Sequence, residues 1–367
     1  MRATSALTEL RHRATETARA TVRGATRTVA RTEVGDHNVR TWVELAAGHA
    51  RSALTRAVHT GHPVDRRVVV CGSPRSGTTW LAEAINHDRR FRYCFEPEDP
   101  HHRTPRFAAF APSQYLRTDE RDPKFTVPLR DLFDGKVFSR YSDQWQRGIH
   151  LRPSDDLLVK LVNGNLFAGW IAHNIERTTV VHIVRHPLAV LRSQASLGFP
   201  DHTDHALDQP QLIHDVLSDY AEVIASATSP LERRVVEWCV SQVVPIRQLP
   251  LASSLTVRYE DLLVAPERAL RGVFDAVDQP WTGEVLDRAA LPSKTAWNGS
   301  GFQDDQRHHL ESWRAEFTHD EIERTYELID EFGLSFLYAD STTDVRTRQK
   351  PAFGEDVPGS RLLFAIS

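Results

Sequence analysis

The stretch "VVVCGSPRSGTTWL", residues 68–81, runs through four apolar side chains, breaks into Gly, Ser and Pro around Arg75, and resumes with two threonines and a tryptophan. Val68 to Cys71 has the composition of a buried strand and Thr78 to Ile85 continues as a helix, so the break is a strand-loop-helix turn. Gly72 and Gly77 permit close approach to the backbone, and the amides from Arg75 to Thr79 converge at a helix start, where the helix field favours an anion. Arg75 supplies a cation, and Ser76, Thr78 and Thr79 supply hydroxyl donors. The same composition also suits a tight packing turn that binds nothing. The loop departs from the GxxxxGK[ST] phosphate loop, since residues 77–79 read Gly-Thr-Thr and no lysine is present there.

Outward from this turn, short apolar runs alternate with helical stretches. Arg90 to Phe95, Leu157 to Val162, Thr179 to Val184 and Ser254 to Val257 read as four further strands. Such alternation predicts an α/β fold, a parallel central sheet flanked by helices, with its sites at the carboxyl ends of the strands. Residues 97–150, and a second segment from Gly198 to about Pro210, lack steady periodicity and read as lids or binding walls. The main domain spans 65–340. Residues 1–64, rich in Ala, Thr and Arg, read as a helical N-terminal extension, with Gly61, His62 and Pro63 at the boundary. Residues 341–367 read as a C-terminal tail whose segment Leu362 to Ile366 is able to dock onto the body.

Composition bounds the function. The chain has 367 residues, 40% of them apolar, enough for a substantial core. Net charge is -4 and only five of the 45 basic residues are lysine, which argues against a nucleic-acid-coating protein while leaving room for a local anion site. Cys71, Cys94 and Cys239 are widely spaced with no CxxC pair, as for buried thiols in a reducing compartment. No run approaches the roughly 18 apolar residues of a membrane span, and the N-terminus lacks the apolar block of a secretion signal, so a cytoplasmic protein is expected. Arg19, Arg23, Arg27 and Arg31 recur every four residues. On a helix over residues 15–35 they form a basic stripe, either a solvated face or a contact with a partner or the inner membrane surface. A homo-oligomer is left open.

A second anion site follows the fourth strand in "VHIVRHPLAVLRSQ", residues 181–194. Arg185 stands at the strand end, Pro187 suits the first helical turn, and Ser193 lies eight residues on, about two turns, so that both can reach one phosphate. A capping arginine beside a surface serine is the plainer alternative. Two anion sites at the ends of neighbouring strands suit a ligand with phosphates at both ends.

These segments carry a resemblance. "GSPRSGTTW" resembles the 5'-phosphosulfate loop of the sulfotransferases that use 3'-phosphoadenosine 5'-phosphosulfate (PAPS), and "RHPLAVLRS" resembles their 3'-phosphate motif. "VRYEDLLVAPERAL", residues 257–270, is similar to a third family segment, and the likeness extends from residue 66 to about 337. It implies the P-loop-like sulfotransferase fold, PAPS as donor and 3',5'-bisphosphoadenosine (PAP) as product. It also implies roles for single residues. Arg75 matches the loop's basic residue, an arginine in many carbohydrate-type members, and Ser76, Gly77, Thr78 and Thr79 match the rest of the loop. Trp80 matches the tryptophan packed on adenine, Arg185 and Ser193 the 3'-phosphate ligands, and Tyr259 the adenine-side tyrosine. Lys160 resembles the lysine that stabilises the transferring group, and Lys294 in "LPSKTAWNG" loosely matches a late basic segment closing over the 3'-phosphate.

The departure from the pattern concerns the base. Small-molecule members place a histidine two residues after that lysine, where this chain has Val162, followed by Asn163. Carbohydrate-type members place a glutamate after the second strand, and "FRYCFEPED", residues 91–99, puts Glu96 there, with His101, His102 and His150 as alternatives. The implied reaction is attack of an acceptor hydroxyl on sulfur as Glu96 removes its proton, with Arg75, Lys160 and the loop amides stabilising the leaving group and no metal required. The acceptor expected is a carbohydrate, a glycolipid or another small-molecule alcohol. Two other readings compete: a P-loop phosphotransferase, which would need a GK[ST] loop, and a nucleotide-binding protein without catalysis.

Overall fold

Four consecutive buried side chains, Val68 to Cys71, form the carboxyl two thirds of β1 (Arg66–Cys71), which leads directly into the glycine-bearing turn. The computed structural model describes residues 36–99, 104–145, 153–199, 207–293, 295, 310–338 and 361–363. The basic stripe from Arg19 to Arg31, the histidines His101, His102 and His150, and Lys294 lie outside the described residues.

Along the chain the elements run α1 (Asp36–His59), β1, α2 (Thr78–Ile85), β2 (Arg92–Phe95), α3 (Pro123–Phe133), β3 (Asp156–Leu161), α4 (Ala168–Asn174), β4 (Thr178–Val184), α5 (Pro187–Ala195), α6 (Pro210–Asp215), α7 (Ala221–Ser226), α8 (Pro230–Gln248), β5 (Ser254–Arg258), α9 (Tyr259–Val264), α10 (Pro266–Ala276), α11 (Glu284–Ala289), α12 (His319–Glu331) and β6 (Arg361–Leu363). The strands form one sheet in the order β2-β3-β1-β4-β5-β6. β5 runs parallel to β4 with Val257 opposite Ile183, and β6 parallel to β5 with Leu362 opposite Thr256. β1 is flanked by β3 on one side and β4 on the other, so the chain reverses its winding there, and such a reversal opens a crevice for ligands. The five expected strands are present within two residues of their expected limits. β6 is an addition: three residues of the segment read as a tail take a place beside β5.

The described residues fall into two units, one drawn from Met1–Arg67, Asp88–Ala109 and Pro123–Val159, the other from Val68–His87, Phe110–Asp122 and Lys160–Ser367. In the first, Arg92 of β2 is a buried anchor. Its guanidinium donates to the carbonyls of Gly135 (2.6 Å) and Val137 and lies 4.0 Å from the Phe138 ring centroid. Asp143, 3.8 Å from Arg92, accepts from the Ser52 hydroxyl (2.8 Å) and the Ser139 amide (3.1 Å), and burial raises its carboxyl to about 6.

In the second unit, α8 starts at a capping box. The Ser229 hydroxyl accepts from the Glu232 amide, while the Glu232 carboxylate accepts from the Ser229 amide, so two helix-start donors are satisfied together. Thr318 and Glu321 repeat the device at α12. The apolar faces of the two helices pack Val235, Val236, Cys239 and Val240 into one cluster with Leu328 and Ile329. Behind β5, Arg258 makes a buried two-bond pair with Asp261 (2.9 and 2.6 Å), and Glu260 accepts from the His186 amide (3.0 Å) and the Tyr338 hydroxyl (2.7 Å). Both carboxylates therefore fix the backbone that carries Arg185 and Tyr259. Among the described residues, no helix is long and apolar enough to cross a membrane.

Two buried histidines of this unit set an acid limit. Burial lowers His182 to about 4 and His186, stacked on Trp313 at 4.2 Å, to about 3. Between those values and 6.5 the unfolded chain binds more protons than the folded one, so stability is lost as pH falls through this window. From pH 7 to pH 5 each contributes a loss of about 2 kcal/mol. Asp143 acts oppositely, because its raised carboxyl favours the folded state as pH falls from 6 toward 4. The net expectation is a lower melting midpoint at pH 5 than at pH 7, with a smaller fall in His186→Asn, measured by calorimetry.

Candidate active site

The turn after β1 is held by its own polar atoms. The Ser76 amide and hydroxyl both donate to the Ser73 carbonyl (3.0 and 2.7 Å), and the Ser73 hydroxyl meets that of Ser241 on α8 at 3.1 Å. A side chain at Gly72 would place its Cβ 2.5 Å from the Ile183 carbonyl of β4. At Gly77 (φ +96°), the first Cβ contact would be 2.6 Å, with the Tyr259 ring. Arg75 itself adopts φ +75°, a conformation that costs a non-glycine residue on the order of 1–3 kcal/mol and tends to survive at functional sites. Ser76, Thr78 and Thr79 are buried at the start of α2, whose first turn has no acidic residue to compete for an anion.

The turn after β4 meets the same place. Arg185 donates to the Arg75 carbonyl (2.9 Å) and stacks its guanidinium 4.6 Å from the centroid of Tyr259. Arg75 in turn donates to the Ser193 hydroxyl on α5 (3.0 Å) and to the Thr295 carbonyl (3.3 Å). Burial and then the charge of Arg185 lower the Arg75 pKa, while burial raises that of Tyr259. Among the described residues neither arginine makes an ion pair, so two cations share a pocket with no carboxylate between them. That is the electrostatic signature of an anion site.

The expected residues divide accordingly. Arg75, Arg185, Ser193, Gly77 and Tyr259 are brought together by direct contacts. Trp80 is buried, and its indole donates to the Ala289 carbonyl of α11 (3.0 Å). Lys160 lies near the carboxyl end of β3, 2% exposed and engaged within the protein. Glu96 belongs to the other unit. It directly follows β2, is 8% exposed, takes φ +40°, and accepts a hydrogen bond from the Tyr141 hydroxyl (2.8 Å). Among the described residues, no cluster of His, Cys, Asp and Glu is arranged to hold a metal.

Sequence reading passed over Gln194. Its amide donates to the Pro74 carbonyl of the loop (3.0 Å) and its oxygen accepts from Arg234 of α8 (2.8 Å), so it ties the two turns to that helix. The only signal for it was its place one residue after Ser193. Beside it a shallow cleft opens, lined by Ser73, Pro74, Asn163, Gln194, Arg234 and Trp238 among others.

A model of the sulfotransferase family matches residues 67–283, which hold β1 to β5 and both turns. The chain belongs to the sulfotransferase family. A search of curated proteins returns no match. Among solved structures, the sulfotransferase domain from the curacin biosynthetic pathway is similar at 16% identity over 74% of this chain and 98% of that one, with a TM-score of 0.42. Sulfotransferase STF9 from Mycobacterium avium matches at 14% identity over 83% and 87%, with a TM-score of 0.40. Mouse sulfotransferase SULT7A1 complexed with PAP matches at 14% over 77% and 90%, with a TM-score of 0.35.

The sulfotransferase loop has a direct steric test. Gly77→Ala is expected to cost about 1–3 kcal/mol, because the new methyl meets Tyr259 and φ is positive. Urea unfolding monitored by fluorescence reads the loss, and Gly283→Ala, with nothing within 4 Å of its Cβ position, serves as the control.

Proposed function

We propose that the chain transfers the sulfuryl group of PAPS to the hydroxyl of a carbohydrate, glycolipid or other small-molecule alcohol. The observation that carries the reading is the paired, carboxylate-free arginines on two turns that meet where Arg185 bonds the Arg75 carbonyl, with Arg75 reaching Ser193. The residues fit a doubly phosphorylated nucleotide: Gly72 and Gly77 let the turn pack against the Ile183 carbonyl and the Tyr259 ring, and α2 presents its amino end beside Arg75. In this reading Arg75, Ser76, Gly77, Thr78 and Thr79 hold the 5' end, Arg185 and Ser193 the 3'-phosphate, and Tyr259 and Trp80 flank the adenine. Lys294, outside the described residues, is assigned to the 3'-phosphate in the same reading.

The acceptor oxygen forms a bond to sulfur as the bond from sulfur to the bridging oxygen of PAP breaks, and Glu96 takes the hydroxyl proton. An alcohol is far less acidic than a carboxylic acid, so Glu96 acts as the new bond forms. Lys160 and Arg75 balance the charge that grows on the leaving oxygen, which needs no metal in this scheme. The cleft beside Pro74 and Asn163 suits the acceptor, since it mixes amide, hydroxyl and aromatic groups. A phosphotransferase reading is weaker because the loop lacks its lysine.

The test incubates the full chain with sulfur-labelled PAPS and octyl β-D-glucoside and follows label transfer and PAP release. Glu96→Gln is expected to keep PAP binding and to lose turnover by about 100-fold or more. Arg185→Ala is expected to raise the PAP dissociation constant about 10- to 100-fold, the loss of one charged hydrogen-bonding partner. Near-normal turnover in Glu96→Gln removes the base assignment. PAP binding without transfer to any alcohol would leave a nucleotide-binding protein instead.

A further inference from the structure

Tyr141 lies in the turn that follows α3, and three contacts fix it. The Ser142 carbonyl accepts from the amide of Phe95, the last residue of β2 (2.9 Å), and the Gln144 amide donates to the Tyr141 carbonyl (3.2 Å). The buried carboxylate of Asp143 ties the turn to Ser52 on α1. The Tyr141 ring packs edge-on to Phe95, with centroids 5.5 Å apart. From this anchored position its hydroxyl reaches Glu96 Oε2 at 2.8 Å and Asp99 Oδ2 at 3.3 Å.

One hydroxyl facing two carboxyl groups carries one proton. It donates along the shorter contact, to Glu96, and it is able to accept a proton from one side only while giving its own to the other. Burial, and next the charges of Glu96 and Asp99 with a further contribution from Glu98, raise Tyr141 far above the usual phenol range, so it stays protonated. Glu96 is nearly enclosed, whereas Asp99 is partly exposed. The positive φ of Glu96 places strain at the residue that Tyr141 holds.

We propose that Tyr141 positions the carboxylate of Glu96 for proton abstraction and then passes the abstracted proton to Asp99. The inference rests on the reading of Glu96 as base. After Glu96 has taken the acceptor's proton, its Oε2–H bond breaks as that proton moves to the Tyr141 oxygen. The original phenol proton moves in the same step to Asp99 Oδ2. Glu96 is a carboxylate again, Tyr141 is neutral throughout, and Asp99 releases the proton to water. Tyr141 and Asp99 are positioning and relay residues and touch no substrate.

The test measures PAP release from PAPS with octyl β-D-glucoside, and with water alone as acceptor, for the full chain, Glu96→Gln, Tyr141→Phe, Asp99→Asn and the double variant Tyr141→Phe/Asp99→Asn. Tyr141→Phe keeps the ring and is expected to lower kcat roughly 10- to 100-fold with KM for PAPS and PAP affinity unchanged. Its melting midpoint should stay within about 3 °C and its solvent deuterium isotope effect on kcat should rise. Asp99→Asn should lower kcat by less and add no further loss in the double variant. Unchanged kcat in Tyr141→Phe, or losses that add in the double variant, would overturn the relay. So would a loss of kcat matched by losses of PAP affinity and melting midpoint, which marks a structural role. If Glu96→Gln is inactive and Tyr141→Phe is normal, the base stands and the relay falls; if Glu96→Gln is active, the base reading itself falls.

Discussion

Two like charges held together against their repulsion organise the second of the two units. Arg185 donates to the backbone carbonyl of Arg75, and Arg75 donates to Ser193, with no carboxylate to neutralise the two guanidinium groups among their contacts. Burial first, and then the charge of Arg185, lower the pKa of Arg75. Much of the surrounding structure serves to keep the pair in place. Gly77 admits the Tyr259 ring on which Arg185 stacks, and Glu260 holds the backbone at His186. Trp238 donates to the carbonyl of Arg185 itself (3.1 Å). An anion between the guanidinium groups would turn their repulsion into shared attraction.

The sheet and this pocket were legible in the sequence for physical reasons. A strand buried on both faces reads as a near-continuous apolar run, and Val68 to Cys71 and Val180 to Val184, interrupted only by His182, leave little else for those segments to be. The glycines and the arginine of the turn advertise their use because few other residues tolerate those backbone and charge requirements. β6 was not legible as a strand: Arg361–Leu363 is too short to carry a period, and what identifies it is its parallel pairing with β5. Trp80 shows the opposite limit, since its position in the first turn of α2 says nothing of the Ala289 carbonyl that its indole meets 209 residues later in the chain.

The environment of Glu96 was hidden for a further reason. A glutamate after a strand is visible, but the hydroxyl that holds it arrives from Tyr141, 45 residues on, out of a stretch without periodicity. Nothing local in the sequence marks Arg92 or Asp143, which build the frame around it, for burial. Their buried pairing with carbonyls and hydroxyls is a tertiary fact. Gln194 is similar: a polar helix residue whose role depends on which loop lies beneath it.

Isothermal titration of the full chain with PAP, 5'-AMP and 3'-AMP is the most direct measurement of whether both turns grip one molecule. If they do, PAP binds at a single site at least about 100-fold more tightly than either monophosphate, since each lacks one partner of the paired arginines. Equal affinities for all three, or no uptake of PAP, would contradict it.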